Sequence, residues 1–377
     1  MFQHLKVLEL ASVLAGPSVG QFFAELGAEV IKVENLRAGG DVTRFWKGSG
    51  EETDDRSAYF CSCNWGKKSV ALDLTSIEGK QIVQQLALRA DIIIASYKPG
   101  DAEKLGVSYQ QLKINNQSLV YGQVTGYGSD SNRVGYDAVI QAESGFMDLS
   151  GEAEGPPIKM PVALVDVLAA HQLKEGLLLA LLKRDRTGEG SLVEVSLLQA
   201  ALASLANQAT NWLVAKKLPT RKGSAHPNIA PYGDFFITKD GRRILLAIGS
   251  DRQFEDLIRV LKLEPREMQL FSTNQLRVEN RKLLNELLAE AISRVSSETL
   301  MDEMNQLNIP AGIIQNIEVA LSSNDAKEIM LDKNGLKGLK NFVATVSGVN
   351  PNSNLLPPPH FGEHTEEILS LLSRLDQ

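Results

Sequence analysis

A single carboxylate lies among valine, leucine and alanine in VALVDVLAA, near the start of the stretch PVALVDVLAAHQLKEGLLLALLKR at 161–184. The spacing of valine, leucine and alanine predicts a long helix, and Asp166 falls near its start. Removal from water makes a carboxylate more basic and strips the hydration shell that weakens it as a nucleophile. The same position also suits an ordinary acidic partner of a helix N-terminus. The pattern leaves both interpretations open.

The segment before this helix, at 123–152, is rich in glycine and hydroxyl side chains: QVTGYGSDSNRVGYDAVIQAESGFMDLSGE. Glycines allow close approach of the backbone, and successive backbone N–H groups can hold an anion. The segment therefore suits the surroundings of a reactive Asp166.

Several familiar catalytic motifs are missing from the sequence. A dinucleotide site needs G-x-G-x-x-G after the first strand, where this chain has AGPSVG, and no G-x-S-x-G elbow is present. No H-E-x-x-H motif or His/Cys/Asp cluster indicates a metal. We therefore predict no metal site and no permanently bound cofactor. The two cysteines, Cys61 and Cys63, indicate reduced structural thiols in a cytoplasmic protein.

Length and composition narrow the class further. A chain of 377 residues favours two domains. The net charge of -7 and the lack of a long basic run argue against nucleic-acid binding. No apolar run reaches transmembrane length, so we predict no membrane association. The start of the chain lacks the features of a signal peptide.

Strands and helices alternate along the first third of the chain. Apolar runs predict strands at 6–12, 28–34, 69–75, 91–97 and 118–128, with helices at 15–27 and 77–90. Single helices between strands imply βαβ units and a parallel sheet covered on both faces. Ligands of such sheets bind beyond the carboxyl ends of the strands, here at 12–17, 34–41, 96–100 and 125–128.

The rest of the chain predicts a change of architecture. A long helix at 195–216 should expose apolar surface, and a β-hairpin at 235–250 should turn at Asp240-Gly241. Further helices, a strand at the start of 308–321 and a proline-rich tail with a helix follow. We predict an α/β protein with a large domain at 1–200, completed by a returning segment at 330–377. A linker and small α+β domain occupy 201–329.

The ordered motifs of the chain resemble the class III (CaiB/BaiF-type) coenzyme A transferases, which include formyl-CoA and carnitine CoA-transferases. The resemblance covers nearly the whole chain and is carried by KVLELASVLAGPSVGQFFAELGAEVIKVE, GGDVTRFW, KKSVALDLTSIEGK, SYKPGDAEKLGVSY, GYGSDSNRVGYDAVIQAESGFM, VALVDVLAA, HPNIAPYGDF, IPAG and LPPPHFGEHTEEIL. It implies a Rossmann-like large domain, a smaller α+β domain and a homodimer of interlocked ring-like chains.

The resemblance also implies a reaction. Asp166 would attack an acyl-CoA thioester, giving a mixed anhydride and CoA thiolate. The thiolate would form an aspartyl-CoA thioester and release the donor acid. A small carboxylic acid acceptor would then reverse these steps. Acyl-CoA is thus a substrate, and a pocket of low polarity protects the anhydride from water.

Matching to the family residue by residue implies two sets of contacts. The CoA-binding set is Val13, Arg37, Leu72, Ser96, Tyr97, Lys98 and Lys104, with the three cations meeting phosphates. The substrate set is Leu14, Trp46, Arg133 and Tyr136. Leu14 replaces a polar glutamine of formyl-CoA transferase, which favours an acid less polar than oxalate.

Two other functions remain open. An α-methylacyl-CoA racemase of the same superfamily needs an acid–base histidine in G-H-D, whereas this chain has Gly135-Tyr136-Asp137. A non-catalytic CoA-binding protein would have no need of the intact Asp166 on its apolar helix. Deuterium exchange at an α-carbon and the effect of Asp166→Asn discriminate these alternatives.

Overall fold

The computed structural model describes residues 1–264, 269–351 and 354–375. The chain forms two compact units. The first comprises Met1–Gly145, Met160–Ala206 and Lys327–Gln377, and the second Phe146–Lys159 and Asn207–Ala326. The sequence predicted an uninterrupted large domain at 1–200, whereas the structure assigns 146–159 to the second unit. Arg221, which donates hydrogen bonds to the carbonyl and carboxylate of Asp148 at 3.0 Å, ties this segment to the second unit.

A six-stranded parallel sheet forms the centre of the first unit. Its strands are β1 Lys6–Leu10, β2 Glu29–Asn35, β3 Lys67–Leu72, β4 Ile92–Ala95, β5 Val120–Thr125 and β6 Ser191–Ser196. They lie in the order β3-β2-β1-β4-β5-β6, which is a doubly wound arrangement. Val7 of β1 pairs with Val30 on one side and Ile92 on the other, so the strand order reverses between β1 and β4. The predicted strands are confirmed within a few residues at their ends.

Helices cover this sheet and connect its strands. They are α1 Ala15–Glu25, α2 Ala58–Cys61, α3 Ile77–Leu88, α4 Asp101–Leu105, α5 Tyr109–Leu112, α6 Asp137–Glu143, α8 Leu164–Thr187 and α9 Leu197–Ala203; the intervening α7, Phe146–Leu149, belongs to the second unit. Every residue of α1 is buried, and Pro17 occupies its first turn, where a missing N–H costs nothing. The 24-residue α8 ends at Gly188, which has a left-handed conformation.

The single long helix predicted at 195–216 is wrong. The structure has α9, ending at Ala203, and a separate helix α10, Ala206–Leu213. The Ser204 hydroxyl donates to the Ala200 carbonyl at 2.8 Å, and Ala206 has a positive φ of 47°. A serine that bonds back to the preceding turn offers the backbone an alternative to continuing the helix.

The second unit is built on the antiparallel strands β7 Tyr232–Ile237, β8 Arg243–Ala247 and β9 Ala311–Ile313, in that order. Gly241, with φ of 77°, makes the turn between β7 and β8, which confirms the predicted hairpin. Its other helices are α11 Asp251–Val260, α12 Asn274–Glu279, α13 Arg281–Ile292, α14 Ser297–Gln306, α15 Ile317–Leu321 and α16 Asn324–Ile329, whose last residues lie in the first unit. The apolar faces of α11, α13 and α14 share one core with β7 and β8, which includes Phe236, Leu257 and Leu284.

The C-terminal segment returns to the first unit. It contains the antiparallel pair β10 Met330–Lys333 and β11 Leu336–Leu339, then α17 Thr365–Leu375. Ile368 and Leu372 of α17 join the core beneath the parallel sheet. Across the described ranges, no helix has the length and apolarity needed to cross a bilayer.

Candidate active site

A cavity of about 230 Å³ opens at the point where the strand order reverses. Loops after β1, β4 and β5 form its walls, as expected for a doubly wound sheet. The lining residues are Ser12–Gly16, Val42, Ser96–Pro99, Val124–Gly126, Ser131, Arg133–Tyr136, Asp166 and Leu197. The crevice that the strand pattern predicts is therefore present in the first unit.

Asp166 lies in the first turn of α8 and reaches this cavity while remaining 7% exposed. Burial raises the pKa of its carboxyl group to about 7, and the charge of Asp137 adds to the shift. No hydrogen bond from the described residues offsets this effect. The side chain thus combines high basicity with free access to the cavity, which are the properties of a carboxylate nucleophile.

Asp137, the first residue of α6, is a charged neighbour of Asp166 that the sequence motifs did not single out. One of its oxygens accepts a hydrogen bond from the Val165 backbone N–H at 2.8 Å. The other accepts from the Gln141 side-chain amide at 2.7 Å. The sequence signal was Asp137 followed four residues later by Gln141, a spacing that brings side chains together on one helix face.

Tyr59 and Trp46 form an aromatic pair beside the carboxylate. Their rings lie 5.2 Å apart in an edge-to-face arrangement. Burial, followed by the charge of Asp166, raises the pKa of Tyr59 to about 12, so its hydroxyl stays protonated at neutral pH. Trp46, predicted as a pocket wall, does not itself line the cavity and packs against Tyr59 instead.

Two glycines allow the cavity wall to close. A Cβ atom added to Gly135 would lie 2.7 Å from the Cα atom of Gly126, so only glycine permits this approach. Beside them, the Arg133 guanidinium lies 4.0 Å from the Tyr127 ring centroid and pairs with Glu143 at 2.6 Å. These contacts hold the glycine-rich segment as a defined wall.

The opposite wall depends on Val13, whose φ of 72° is rare for a β-branched residue. The Val13 backbone N–H donates to Asp41 at 3.3 Å, and Asp41 pairs with the buried Lys32 at 2.9 Å. Lys32 also pairs with Glu9 of β1 at 2.9 Å. Burial alone would lower the pKa of Lys32, but Asp41 and Glu9 raise it above its ordinary value. A buried chain of charges thus anchors the loop after β1.

A second cavity of about 290 Å³ adjoins the first over the ends of β1, β2 and β4. The two cavities share Ser12, Val42, Ser96 and Tyr97. The two cavities are therefore neighbours, and together they form a path across the strand ends.

The structure brings most of the predicted site residues to the first cavity: Val13, Leu14, Ser96, Tyr97, Lys98, Arg133, Tyr136 and Asp166. Four do not line it, and Trp46 is one of them. Leu72 is 4% exposed and packs in the core, because its side chain points into the layer beneath the sheet. Arg37 pairs with Asp73 at 3.0 Å, and Lys104 pairs with Asp101 at 2.8 Å, both at the exposed surface. No histidine is among the lining residues.

Outside the cavities, Asp54, Asp55 and His360 bring possible metal ligands within 4.8 Å of one another. Their carboxylates already have partners: Asp54 pairs with Arg56, and Asp55 accepts from the Phe361 N–H at 2.6 Å. The contact of Asp55 with Phe361 connects this group to the C-terminal segment.

The first unit is an α/β domain with a buried carboxylate at the switch point of its sheet. Its sequence matches the family described as CoA-transferase family III over residues 2–365. The chain is 33% identical to a succinate–glutarate CoA-transferase of Agrobacterium fabrum, with 99% of this chain and 96% of the relative covered. It is also 33% identical to human succinyl-CoA:glutarate CoA-transferase, with 99% and 86% covered. A CaiB/BaiF family protein from Brucella suis superimposes with a TM-score of 0.86 at 36% identity, covering 98% of each chain.

The chain therefore belongs to CoA-transferase family III, which confirms the family and the enzyme class inferred from its motifs. The mixed architecture, a parallel six-stranded sheet with a smaller antiparallel unit, is confirmed as well.

Proposed function

We propose that this enzyme transfers CoA from an acyl-CoA donor to a carboxylic acid acceptor through covalent intermediates on Asp166. The observation that carries the proposal is the Asp166 carboxylate itself. It is buried at the cavity, its pKa is raised to about 7, and no described residue donates a hydrogen bond to it. Such a group is ionised in useful amounts at neutral pH and is poorly solvated.

In the first step, an Asp166 oxygen forms a bond to the thioester carbonyl carbon, and the C–S bond breaks to release CoA thiolate. The thiolate attacks the Asp166 carbonyl of the mixed anhydride, which expels the donor as its carboxylate. The acceptor carboxylate then attacks the carbonyl of the aspartyl thioester, which expels CoA thiolate and leaves an anhydride between Asp166 and the acceptor. The thiolate attacks the acceptor carbonyl of this anhydride, which forms the new acyl-CoA and releases Asp166 as its carboxylate. Each step regenerates an anion, so no net proton transfer is required. Backbone N–H groups of the glycine-rich wall are suited to the oxyanions.

CoA would lie along the path formed by the two cavities, with its thiol near Asp166. Val13, Ser96 and Tyr97 border this path. Lys98 is exposed at the cavity and makes no ion pair in the described part of the chain, so it is available for a phosphate. Arg37 and Lys104 are exposed cations, and their surface ion pairs are weak enough to exchange for a CoA phosphate. Leu72 is buried, so it would support the adenine site only as part of the core beneath it.

The acceptor in this proposal is a short dicarboxylic acid. The relatives above carry succinate and glutarate in their names, and one from Haloarcula hispanica, 32% identical, is a succinyl-CoA:mesaconate CoA-transferase. One carboxylate would react while the Tyr136 hydroxyl and Arg133, whose exposed pair with Glu143 can exchange, hold the other. Leu14 makes the cavity less polar than oxalate requires, so oxalate should be a poor acceptor. Efficient transfer to oxalate would contradict this assignment.

A homodimer in the cytoplasm completes the proposal. Leu179 and Leu182 of α8 and Leu202 of α9 are exposed apolar side chains on the first unit, which suits burial against a second chain. The thiols of Cys61 and Cys63 are free and buried, as is usual in a reducing compartment.

Hydroxylamine trapping tests the reaction directly. The protein is incubated with succinyl-CoA and hydroxylamine, and its peptides are mapped by mass spectrometry. Hydroxamate at Asp166 that appears only with acyl-CoA supports the covalent route. Asp166→Asn should lose transfer activity by about a thousandfold or more. Asp185→Asn, an exposed change near the end of the same helix, should retain it. Full activity in Asp166→Asn would refute the mechanism.

A further inference from the structure

The first turn of α8 lacks a cap of its own. The residue before it is Ala163, whose side chain cannot accept a hydrogen bond, and no local side chain caps the helix. The Val165 N–H, one of the N-terminal groups without an intrahelical partner, is instead bound at 2.8 Å by Asp137, which lies 28 residues earlier. The turn that carries Asp166 is therefore held from outside its own segment.

Asp137 is itself held by a relay. The Gln141 amide nitrogen donates to the second Asp137 oxygen at 2.7 Å, and its amide oxygen accepts from the Met160 N–H at 2.9 Å. The same amide nitrogen lies 3.4 Å from the Val162 carbonyl. One side chain thus fixes Asp137 and both ends of the short segment that leads into α8. All of these groups belong to the first unit.

We infer that Asp137 is a positioning residue for the transfer reaction: through this relay it holds the helix turn that carries Asp166. The inference rests on the proposed role of Asp166 as nucleophile. Asp137 is 9% exposed and each of its oxygens already has a donor, so it is not itself offered to substrate. It acts through the helix turn and through its negative charge.

The charges around Asp166 indicate in which direction a change at Asp137 should move the pKa of Asp166. Burial is the larger reason that the Asp166 pKa is raised, and Asp137 on α6 adds like-charge repulsion. Tyr59 on α2 interacts with Asp166 as a neutral phenol, and Lys98 and Arg133 are the cations among the residues that line the cavity. Neutralising Asp137 should therefore lower the pKa of Asp166 and make the nucleophile less basic.

The chain offers a variant pair that separates charge from geometry. In Asp137→Asn, the new amide oxygen can still accept a hydrogen bond from the Val165 N–H. The new amide NH₂ group, however, faces the Gln141 NH₂ group, and two donors cannot bond to each other. In the double variant Asp137→Asn/Gln141→Glu, the new carboxylate accepts from both the new amide at position 137 and the Met160 N–H. The bonds to Val165, to position 137 and to Met160 are restored, and only the 3.4 Å contact with the Val162 carbonyl is lost. The negative charge moves one step away from Asp166. Asp185→Asn on the same helix, about 28 Å further along, is the charge-matched control.

Two readouts are needed. The titration midpoint of the Asp166 carboxyl is measured by NMR on protein with ¹³C-labelled aspartate, with Asp166→Asn providing the assignment. The pH profile of kcat is measured with succinyl-CoA and glutarate. We expect Asp137→Asn to lower the midpoint by about one pH unit and kcat by about tenfold to a hundredfold. The double variant should recover most of kcat, with a midpoint still below that of the wild type.

Several outcomes would overturn the inference. One is an Asp137→Asn variant that matches the wild type in both the Asp166 titration midpoint and kcat. Another is an Asp137→Asn variant that loses activity with an unchanged midpoint, where the double variant does not restore the activity. If Asp137→Asn fails to fold, the double variant carries the test: a wild-type midpoint there refutes the inference. The NMR midpoint needs no turnover. A shifted midpoint without Asp166 hydroxamate would overturn the aspartyl mechanism, whereas hydroxamate with unmoved midpoint and rate would overturn only the role of Asp137.

Discussion

Replacing Asp166 with asparagine should make the protein more stable at neutral and alkaline pH. Burial, helped by Asp137, raises the pKa of this carboxyl group from the ordinary 3.8 to about 7. The folded state therefore penalises the ionised form, and an isosteric amide removes the penalty. The side chain receives no hydrogen bond from the described residues that asparagine would lose.

The sign and size follow from proton linkage. Below pH 3.8 the carboxyl group is protonated in both states, and it costs nothing. Between about pH 4 and 7 the unfolded chain ionises first, so the wild type loses stability as pH rises. Above pH 7 the loss is constant, and about three pKa units correspond to about 4 kcal/mol. The advantage of Asp166→Asn should grow by about 2.5 kcal/mol between pH 5 and pH 8.

Urea unfolding at several pH values measures this difference. Trp65 is 1% exposed in the first unit, and its fluorescence reports the loss of the core around it. An advantage of about 4 kcal/mol should raise the urea midpoint at pH 8 by about 1 M or more. Asp185→Asn, which removes an exposed charge, should follow the wild type. An advantage that does not change with pH, or a less stable Asp166→Asn at pH 8, would refute the reasoning.

Two further predictions concern the walls of the cavity. Gly135→Ala should lower kcat by about tenfold or more in steady-state kinetics, because the added Cβ would lie 2.7 Å from the Gly126 Cα atom. Gly312→Ala is the control, since a Cβ there would have nothing within 4 Å. An equal loss of kcat in both variants would contradict the argument. Arg133→Gln should raise KM for a dicarboxylic acceptor about tenfold and leave KM for acyl-CoA unchanged, with Arg186→Gln as control. Parallel rises in both KM values would remove Arg133 from the acceptor site.

The strand pattern was sufficient to predict where the cavity lies. Apolar runs such as the wholly buried β4, separated by single helices, imply a parallel sheet, and the ends of β1 and β4 then meet at one edge. Asp166 was identifiable because it is the one carboxylate in the apolar first turns of the helix, VALVDVLAA, where burying a charge is costly. In both cases the signal is local, within one or two turns of the chain.

Features that depend on distant partners were not predictable in the same way. Asp137 and Val165 are 28 residues apart, and nothing in a local pattern pairs them. Glu9, Lys32 and Asp41 are all buried, although charged residues in a sequence usually indicate solvent. Such features are fixed by tertiary packing rather than by propensity.

The apolar run that makes Asp166 conspicuous in the sequence is also what keeps it buried. Val165, Leu173 and Leu177 of α8 are fully buried, and the last two pack over Gly122 of β5, where a Cβ would lie 3.0–3.1 Å from them. Each such side chain stabilises the fold by about 1.5–3 kcal/mol, so three exceed the cost of one desolvated carboxylate. The helix can therefore hold its first turn in a state that asparagine would relieve. Greater stability with lost activity in Asp166→Asn is the expected mark of a residue retained for chemistry rather than for folding.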